Sequence, residues 1–229
     1  MNQKGLNGNQ LKLIALVAMT VDHIGMELFP QYPILRLIGR LAYPIFAYMI
    51  AAGCRYTRSM PRYLGTVAAW AGVCQGVYLI AMGSLYQCIL VTFMLSIGLV
   101  LLIKNAREKK TPVAWGLVVA SLAAVVFICE VLPLLLPGTD FSVDYGTLGV
   151  LLPVLIYLGE DKKQKLLLAA AGLCGLAVVY GWAQWFALPA LVLLALYNGQ
   201  RGKANLKYLF YIYFPAHLLV LYVIGLLFF

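Results

Sequence analysis

Five ionisable residues lie within or beside two consecutive apolar stretches near the amino terminus. The first stretch contains Asp22, His23 and Glu27, and the second contains Arg36 and Arg40. A charged group at the centre of a membrane costs about 2.5–3.5 kcal/mol on the insertion scale, so residues of this kind are rare there and often functional. An imidazole beside a carboxylate suits general-base catalysis, because the carboxylate sets its tautomer and raises its basicity.

The same five residues also fit a structural role, as ion pairs that hold two helices together. His23 and Glu27 are four residues apart, as are Arg36 and Arg40, so each pair shares a helix face. The connecting turn is short, which predicts neighbouring antiparallel helices with acidic side chains facing the arginines. Adjacent helical residues point about 100° apart, so Asp22 could serve an arginine rather than His23.

Further polar residues lie in later apolar stretches. Asp144 and Tyr145 begin the sixth stretch, while Tyr213 and His217 flank Pro215 in the last one. A proline inside a helix removes one backbone hydrogen bond, so a free carbonyl is expected near residue 211. A lone histidine in a span is commonly a hydrogen-bonded structural residue, and His217 fits that role as well as a functional one in its aromatic, proline-containing segment. These four polar side chains are candidates for binding a substrate.

The composition places these residues in a membrane. Of 229 residues, 63% are hydrophobic and 11% charged, and the mean hydropathy is +0.90. A soluble domain has about 45–50% apolar and 25% charged residues. We therefore predict an all-α, polytopic membrane helical bundle of about nine transmembrane helices, forming a single domain over residues 1–229. The predicted spans are 11–29, 34–54, 63–82, 85–103, 112–136, 143–158, 166–180, 182–197 and 208–229.

The basic residues predict the orientation of the chain. Every Lys and Arg except Arg36 and Arg40 falls in the amino-terminal segment or in alternate loops. The positive-inside rule then predicts a cytoplasmic amino terminus and an outer carboxyl terminus. The segment 166–197 fits either two short spans or one re-entrant hairpin. The first span has no small-residue cleavage site, so we interpret it as retained.

Charge and cysteine usage exclude other classes of function. The net charge of +9 comes from scattered loop residues and not from one patch, which argues against nucleic-acid binding. The five cysteines match no metal-binding spacing, so neither a metal nor a disulfide is predicted. Glu130, near the end of the fifth span, is interpreted as structural or interfacial.

The segment Asp22-His23-Ile24-Gly25, followed by residues 35–47 (LRLIGRLAYPIFA), resembles the signature of TraX-type membrane acetyltransferases, the F-pilin acetylase family. Asp144-Tyr145-Gly146 and residues 207–218 are similar to later motifs of that family, with Tyr213-Phe214-Pro215 standing where Phe-Tyr-Pro is expected. The family is distantly similar to the membrane acyltransferase-three group and to heparan-glucosaminide N-acetyltransferase. In those relatives a first-span histidine is the expected catalytic residue, which maps onto His23.

The resemblance implies transfer of an acetyl group from acetyl-CoA to an amine or hydroxyl on the outer side of the bacterial cytoplasmic membrane. The acceptor would be a small amine, a sugar or a peptide amino terminus. His23 would be the general base, oriented by Asp22 or Glu27, with Arg36 or Arg40 stabilising the oxyanion. A mechanism with a transient acetyl-histidine intermediate is an alternative to direct transfer. The catalytic candidates are His23, Asp22 and Arg40; the substrate-binding candidates are Arg36, Glu27, Asp144, Tyr145, Tyr213 and His217.

Two other classes of function fit the same residues. Intramembrane acidic, basic and histidine side chains also serve proton- or cation-coupled transporters, although the repeated halves typical of those proteins are not seen here. A non-catalytic assembly protein is the third alternative, and it would tolerate replacement of His23. The oligomeric state is not readable from the sequence.

Overall fold

Every regular secondary-structure element in the described residues is helical, which confirms the all-α prediction. The computed structural model describes residues 5–204 and 206–228, without the side chains of Lys207 and Tyr208. The α-helices are α1 Gly8–Glu27, α2 Pro33–Gly39, α3 Ala42–Tyr56, α4 Met60–Met82, α5 Ile89–Lys109, α6 Pro112–Val126, α7 Leu132–Leu135, α8 Gly146–Leu158, α9 Lys162–Tyr180, α10 Ala190–Ala195 and α11 Lys207–Phe228. A π-helical turn, Phe127–Val131, joins α6 to α7, and a 3₁₀ helix, Trp182–Ala187, precedes α10.

Local polar residues define where several helices begin. Asn7 and Gln10 form a capping box at the start of α1, each side chain bonding to the other residue's backbone N–H. Thr111 caps α6 just before Pro112, and Asp161 caps α9. Such caps satisfy N–H groups that have no partner within the helix.

Six helical segments of the described chain are long and apolar enough to cross a membrane, which makes this a multi-pass membrane protein. These segments are Pro33–Tyr56, Met60–Met82, Ile89–Lys109, Pro112–Leu135, Lys162–Tyr180 and Leu209–Phe228. The other three predicted spans are also helical. Of these, α1 is diluted by Lys12, Asp22, His23 and Glu27, and the remaining two are the short segments Gly146–Leu158 and Trp182–Ala195. A span count of nine stays a prediction.

The second predicted span is not one uninterrupted α-helix. It consists of α2 and α3, joined by tight turns in which the N–H groups of Arg40 and Leu41 donate to Leu37 and Ile38. Pro44 has no N–H to donate to the Arg40 carbonyl, so the α-helical ladder is already interrupted there. Arg36 lies within α2, and Arg40 is the C-cap residue of that helix and keeps an αR backbone conformation, so the interruption comes after both arginines.

The chain divides into two compact units. We call Met1–Met49 with Gly159–Phe229 the terminal unit, and Ile50–Leu158 the central unit. In the central unit, Ser96 on α5 donates through Oγ to the Val150 carbonyl of α8 at 2.7 Å. Thr92, one turn earlier, donates to the Asp144 carbonyl at 2.8 Å. These two bonds fix α5 against α8.

In the terminal unit, the start of α1 is bound to the loop that precedes α11. The N–H groups of Gly8 and Asn9 donate to the carbonyls of Gln200 and Arg201 at 2.7 and 3.0 Å. The buried Asn9 side chain donates to the Ala204 carbonyl at 2.7 Å. These bonds satisfy free N–H groups at the start of α1 and fix it beside the segment leading into α11. The two histidines lie on these two helices.

Candidate active site

Helices α1 and α2 approach each other at two glycines. A Cβ atom on Gly25 would lie 2.6 Å from the Leu35 Cβ, and one on Gly39 would overlap the Asp22 side chain. Small residues allow helix backbones to pack closely in a membrane, where hydrophobic association is weak. Both glycines belong to the segments that carry the family resemblance, and their contacts give a physical reason for that pattern.

This close approach aligns Asp22 with Arg36. The Arg36 Nη1 lies 3.1 Å from the Asp22 Oδ2, and both side chains are partly buried. The other carboxylate oxygen, Oδ1, is buried and accepts no hydrogen bond from the described residues. Arg40 also contributes to the positive field at Asp22. The carboxylate therefore serves an arginine, which was one of the two alternatives that the sequence left open.

His23 instead contacts the last helix. Its Nδ1 lies 3.0 Å from the Nε2 of His217 on α11, and the ring centroids are 4.9 Å apart. His217 is buried, whereas His23 is partly exposed. The chain contains two histidines in all, and the fold brings both into direct contact across 194 positions of sequence.

Aromatic rings hold the histidine pair in place. The Tyr213 ring stacks on His217 with centroids 5.1 Å apart and an angle of 10° between the planes. Phe214 makes edge contacts with both imidazoles, at centroid distances of 6.4 Å to His23 and 5.5 Å to His217. The His217 Nδ1 lies 2.9 Å from the Tyr213 carbonyl. Both ring nitrogens of His217 are therefore engaged within the chain.

A second polar contact joins α1 to α11. The Thr20 Oγ1 lies 2.7 Å from the Tyr213 hydroxyl and 2.8 Å from the Leu16 carbonyl. A hydroxyl has a single proton, and the carbonyl can only accept, so Thr20 donates to Leu16 and Tyr213 donates to Thr20. Thr20 was not among the site residues predicted from the sequence. The one sequence signal for it is a hydroxyl side chain three residues before His23 on the same helix.

The remaining predicted site residues are Glu27, Asp144 and Tyr145. Glu27 is exposed at the end of α1. Asp144 and Tyr145 belong to the central unit, where Tyr145 has a positive φ of 59° just before α8. A positive φ is uncommon for tyrosine and identifies a constrained turn.

The His, Cys, Asp and Glu side chains bear on metal and disulfide chemistry. Within the described ranges, no group of three or more His, Cys, Asp or Glu side chains has the arrangement of a metal site. All five cysteines are free thiols, and only Cys174 is not fully buried.

Comparison with known proteins gives one family. The profile of the TraX protein family matches residues 7–225. The probable fimbrial assembly protein FimC, serogroup H1, of Dichelobacter nodosus is 27% identical over 241 aligned residues, which cover 93% of each chain. An uncharacterised protein of Rickettsia prowazekii (strain Madrid E) is 53% identical over 38 residues, covering 17% of this chain and 15% of that protein. No solved structure matches.

The family profile spans almost the whole chain, including α1, α2 and α11, which hold the paired histidines and the Asp22–Arg36 ion pair. The protein belongs to the TraX family.

Proposed function

We propose that this protein is a membrane acetyltransferase that moves an acetyl group from acetyl-CoA to an amine or hydroxyl acceptor, with His23 as general base. The observation that carries the proposal is the His23–His217 pair. It holds a partly exposed imidazole in a fixed orientation, beside an ion pair, within otherwise apolar helices. Ionisable groups at such positions are costly and usually functional.

The proposed reaction is a direct transfer. The His23 imidazole removes a proton from the acceptor while the amine nitrogen or hydroxyl oxygen of the acceptor attacks the acetyl carbonyl carbon. The new N–C or O–C bond forms, the C–S bond of the thioester breaks, and the CoA thiolate leaves and takes the proton from the His23 imidazolium, which regenerates the base. Arg40 is proposed to stabilise the developing oxyanion, while Asp22 holds Arg36 near the substrate.

Other predicted residues keep proposed roles. Glu27, Asp144, Tyr145 and Tyr213 stay candidates for acceptor binding. For His217 we now propose positioning instead, because both of its ring nitrogens have partners within the chain. We further propose that the chain acts as one transmembrane domain of nine spans, with the amino terminus in the cytoplasm of a bacterium and the His23 site toward the outer face.

The acceptor class has one further source of support. The Dichelobacter relative carries the name of a probable fimbrial assembly protein. A protein amino terminus presented at the outer face, such as that of a fimbrial subunit, would supply the attacking amine. We propose this acceptor ahead of sugars and small amines.

The decisive test is acetyl transfer by purified protein in lipid nanodiscs, from radiolabelled acetyl-CoA to a peptide with a free amino terminus. General acid–base catalysis contributes about 10²–10⁴-fold, so His23→Ala is expected to lose at least 10²-fold in kcat. Glu130→Gln is the matched control, since Glu130 is also an ionisable residue of an apolar segment. Its carboxylate accepts from the Thr147 N–H at 3.0 Å, a bond that the amide oxygen can keep.

Three results would contradict the proposal. Full activity in His23→Ala would remove the assigned base. Solute uptake by the wild-type protein in proteoliposomes, without any requirement for acetyl-CoA, would favour a coupled transporter. Absence of acetyl transfer by the wild-type protein to peptide, sugar and small-amine acceptors alike would favour the non-catalytic alternative.

A further inference from the structure

We infer that His217 is a positioning residue that fixes the tautomer of His23 through a relay from the Tyr213 carbonyl to His217 to His23. The catalytic consequence of this inference rests on the proposed acetyltransferase function. The relay itself follows from the geometry of the three groups and can be tested without turnover.

The proton positions on the two histidines follow from the Tyr213 carbonyl, because a carbonyl oxygen can accept a hydrogen bond but cannot donate one. The Tyr213 carbonyl lies 2.9 Å from the His217 Nδ1, so that nitrogen must carry a proton. A neutral His217 then has a bare Nε2, which accepts. The partner of Nε2 is the His23 Nδ1 at 3.0 Å, so this nitrogen must donate and carries a proton as well.

This arrangement leaves the lone pair of His23 on Nε2. Neutral histidine in water favours the opposite tautomer, with the proton on Nε2, which would present a donor rather than a base. The relay therefore converts His23 into the tautomer that can take a proton from an acceptor. The acceptor is expected to approach the Nε2 edge, on the far side of the ring from His217.

The same hydrogen bond also supports the charged state of the base. When Nε2 takes the acceptor's proton, His23 becomes an imidazolium, and its Nδ1–H still donates to the neutral His217 Nε2. A hydrogen bond with an ionised donor is stronger than a neutral one, so it stabilises the species formed during the reaction. The buried position of His217 makes water a poor substitute for this acceptor.

His217 takes the role of orienting His23 that the sequence analysis gave to a carboxylate, Asp22 or Glu27. Asp22 is engaged by Arg36 and does not bond to the His23 ring. The charged or titratable groups around the pair are Asp22 on α1, Arg36 on α2 and Tyr213 on α11, and the Met19 backbone, one turn before His23, also interacts with the His23 ring. Among these groups of the described chain, Tyr213 contacts His217 directly, through its ring and its backbone carbonyl.

The first test reads the tautomers by nitrogen-15 NMR. Because the chain contains two histidines, labelling with ¹⁵N-histidine gives two imidazoles to assign, and His217→Phe identifies them. In the wild-type protein at neutral pH, both rings are expected to carry the proton on Nδ1. In His217→Phe, the His23 signal is expected to shift toward the Nε2–H form. An Nε2-protonated His23 in the wild-type protein would overturn the relay.

The second test separates positioning from packing by kinetics. Loss of a group that orients a functional residue costs about 10–100-fold, so His217→Phe is expected to lower kcat by that factor with KM little changed. His217→Gln can restore an acceptor oxygen near the Nε2 position and should recover part of the loss. Lys12→Met is the matched control, because it removes a different contact between α1 and α11, that of the Lys12 ammonium with the Phe210 ring, and involves none of the proposed site residues.

The outcomes distinguish the relay from the wider proposal. Equal loss of kcat in Lys12→Met and His217→Phe would assign the effect to helix packing and overturn the relay. Wild-type tautomers as expected, in a protein that transfers no acetyl group, would preserve the relay and refute the acetyltransferase function. An inactive His23→Ala beside a fully active His217→Phe would keep the base and remove the positioning role.

Discussion

The terminal and central units use their polar side chains for different partners. In the central unit, Ser96 and Thr92 donate to carbonyls of the α8 region, and Glu130 and Asp140 accept from backbone N–H groups. In the terminal unit, Asn9 and Gln10 at the start of α1 also bond to backbone groups, whereas Asp22 and His23 near its end contact side chains of other helices, Arg36 and His217.

This difference helps to distinguish polar side chains with a structural role from polar side chains with a functional role. Backbone groups without partners are costly in lipid, so a side chain that satisfies one of them has a structural reason to be there. A pair of side chains satisfies only its own members, and an apolar pair of similar volume is often equally stable or more so. The polar side-chain pairs of the terminal unit therefore need a functional explanation. The side chain–backbone hydrogen bonds of the central unit do not, because they have a structural one.

The largest effect on stability is expected at the ion pair of the terminal unit. Arg36→Met leaves the partly buried Asp22 carboxylate without its hydrogen-bonded partner. Breaking a buried pair costs about 3–5 kcal/mol, and partial exposure of both side chains reduces the expected loss to about 2–3 kcal/mol. Thermal unfolding in detergent, followed by labelling of the buried free cysteines, measures this loss.

A double variant sharpens that result. Asp22→Leu combined with Arg36→Met removes both charges, so stability should return toward that of the wild-type protein while acetyl transfer stays impaired. If stability and activity recover together, the ion pair has no role in catalysis, and the contrast between the two units weakens.

The next effect concerns the close contact of α1 with α2. Gly39→Ala would place a methyl group against the Asp22 side chain, and such overpacking costs about 1–3 kcal/mol. Gly116→Ala in α6 is the control, since nothing lies within 4 Å of its Cβ position. Equal unfolding temperatures for the two variants would contradict the close approach.

The smallest effect is expected at Asp140, outside the membrane spans of the central unit. The Ser84 hydroxyl and the Leu85 N–H donate to this carboxylate and lower its pKa from 3.8. A lowered folded-state pKa means that the stabilisation is present above 3.8 and is lost as the pH falls through the folded value. Between about pH 5 and pH 3 the wild-type protein should therefore lose slightly more stability than Asp140→Asn. Identical pH profiles would contradict this role.

Much of the fold could be read from local patterns. The apolar runs predicted the all-α membrane architecture, because a run of about 20 apolar residues is long enough to cross lipid as a helix, which satisfies its backbone groups internally. The break after Gly39 was not predicted, since hydropathy is continuous across it and only the interplay of Gly39, tight turns and Pro44 interrupts the helix. Glu130 was interpreted as structural, and its bond to the Thr147 N–H agrees with that interpretation.

The sequence by itself determined that ionisable residues interrupt apolar helical stretches, and it placed the chain in its family, because hydropathy and short motifs are local properties. Only the tertiary structure decided which partner each ionisable group has. Spacing along α1 allowed Asp22 to serve either His23 or an arginine. The close packing at Gly25 and Gly39 aligns the carboxylate with Arg36, and the return of α11 provides His217 from 194 positions away. No local pattern encodes the distance between two helices so far apart in sequence.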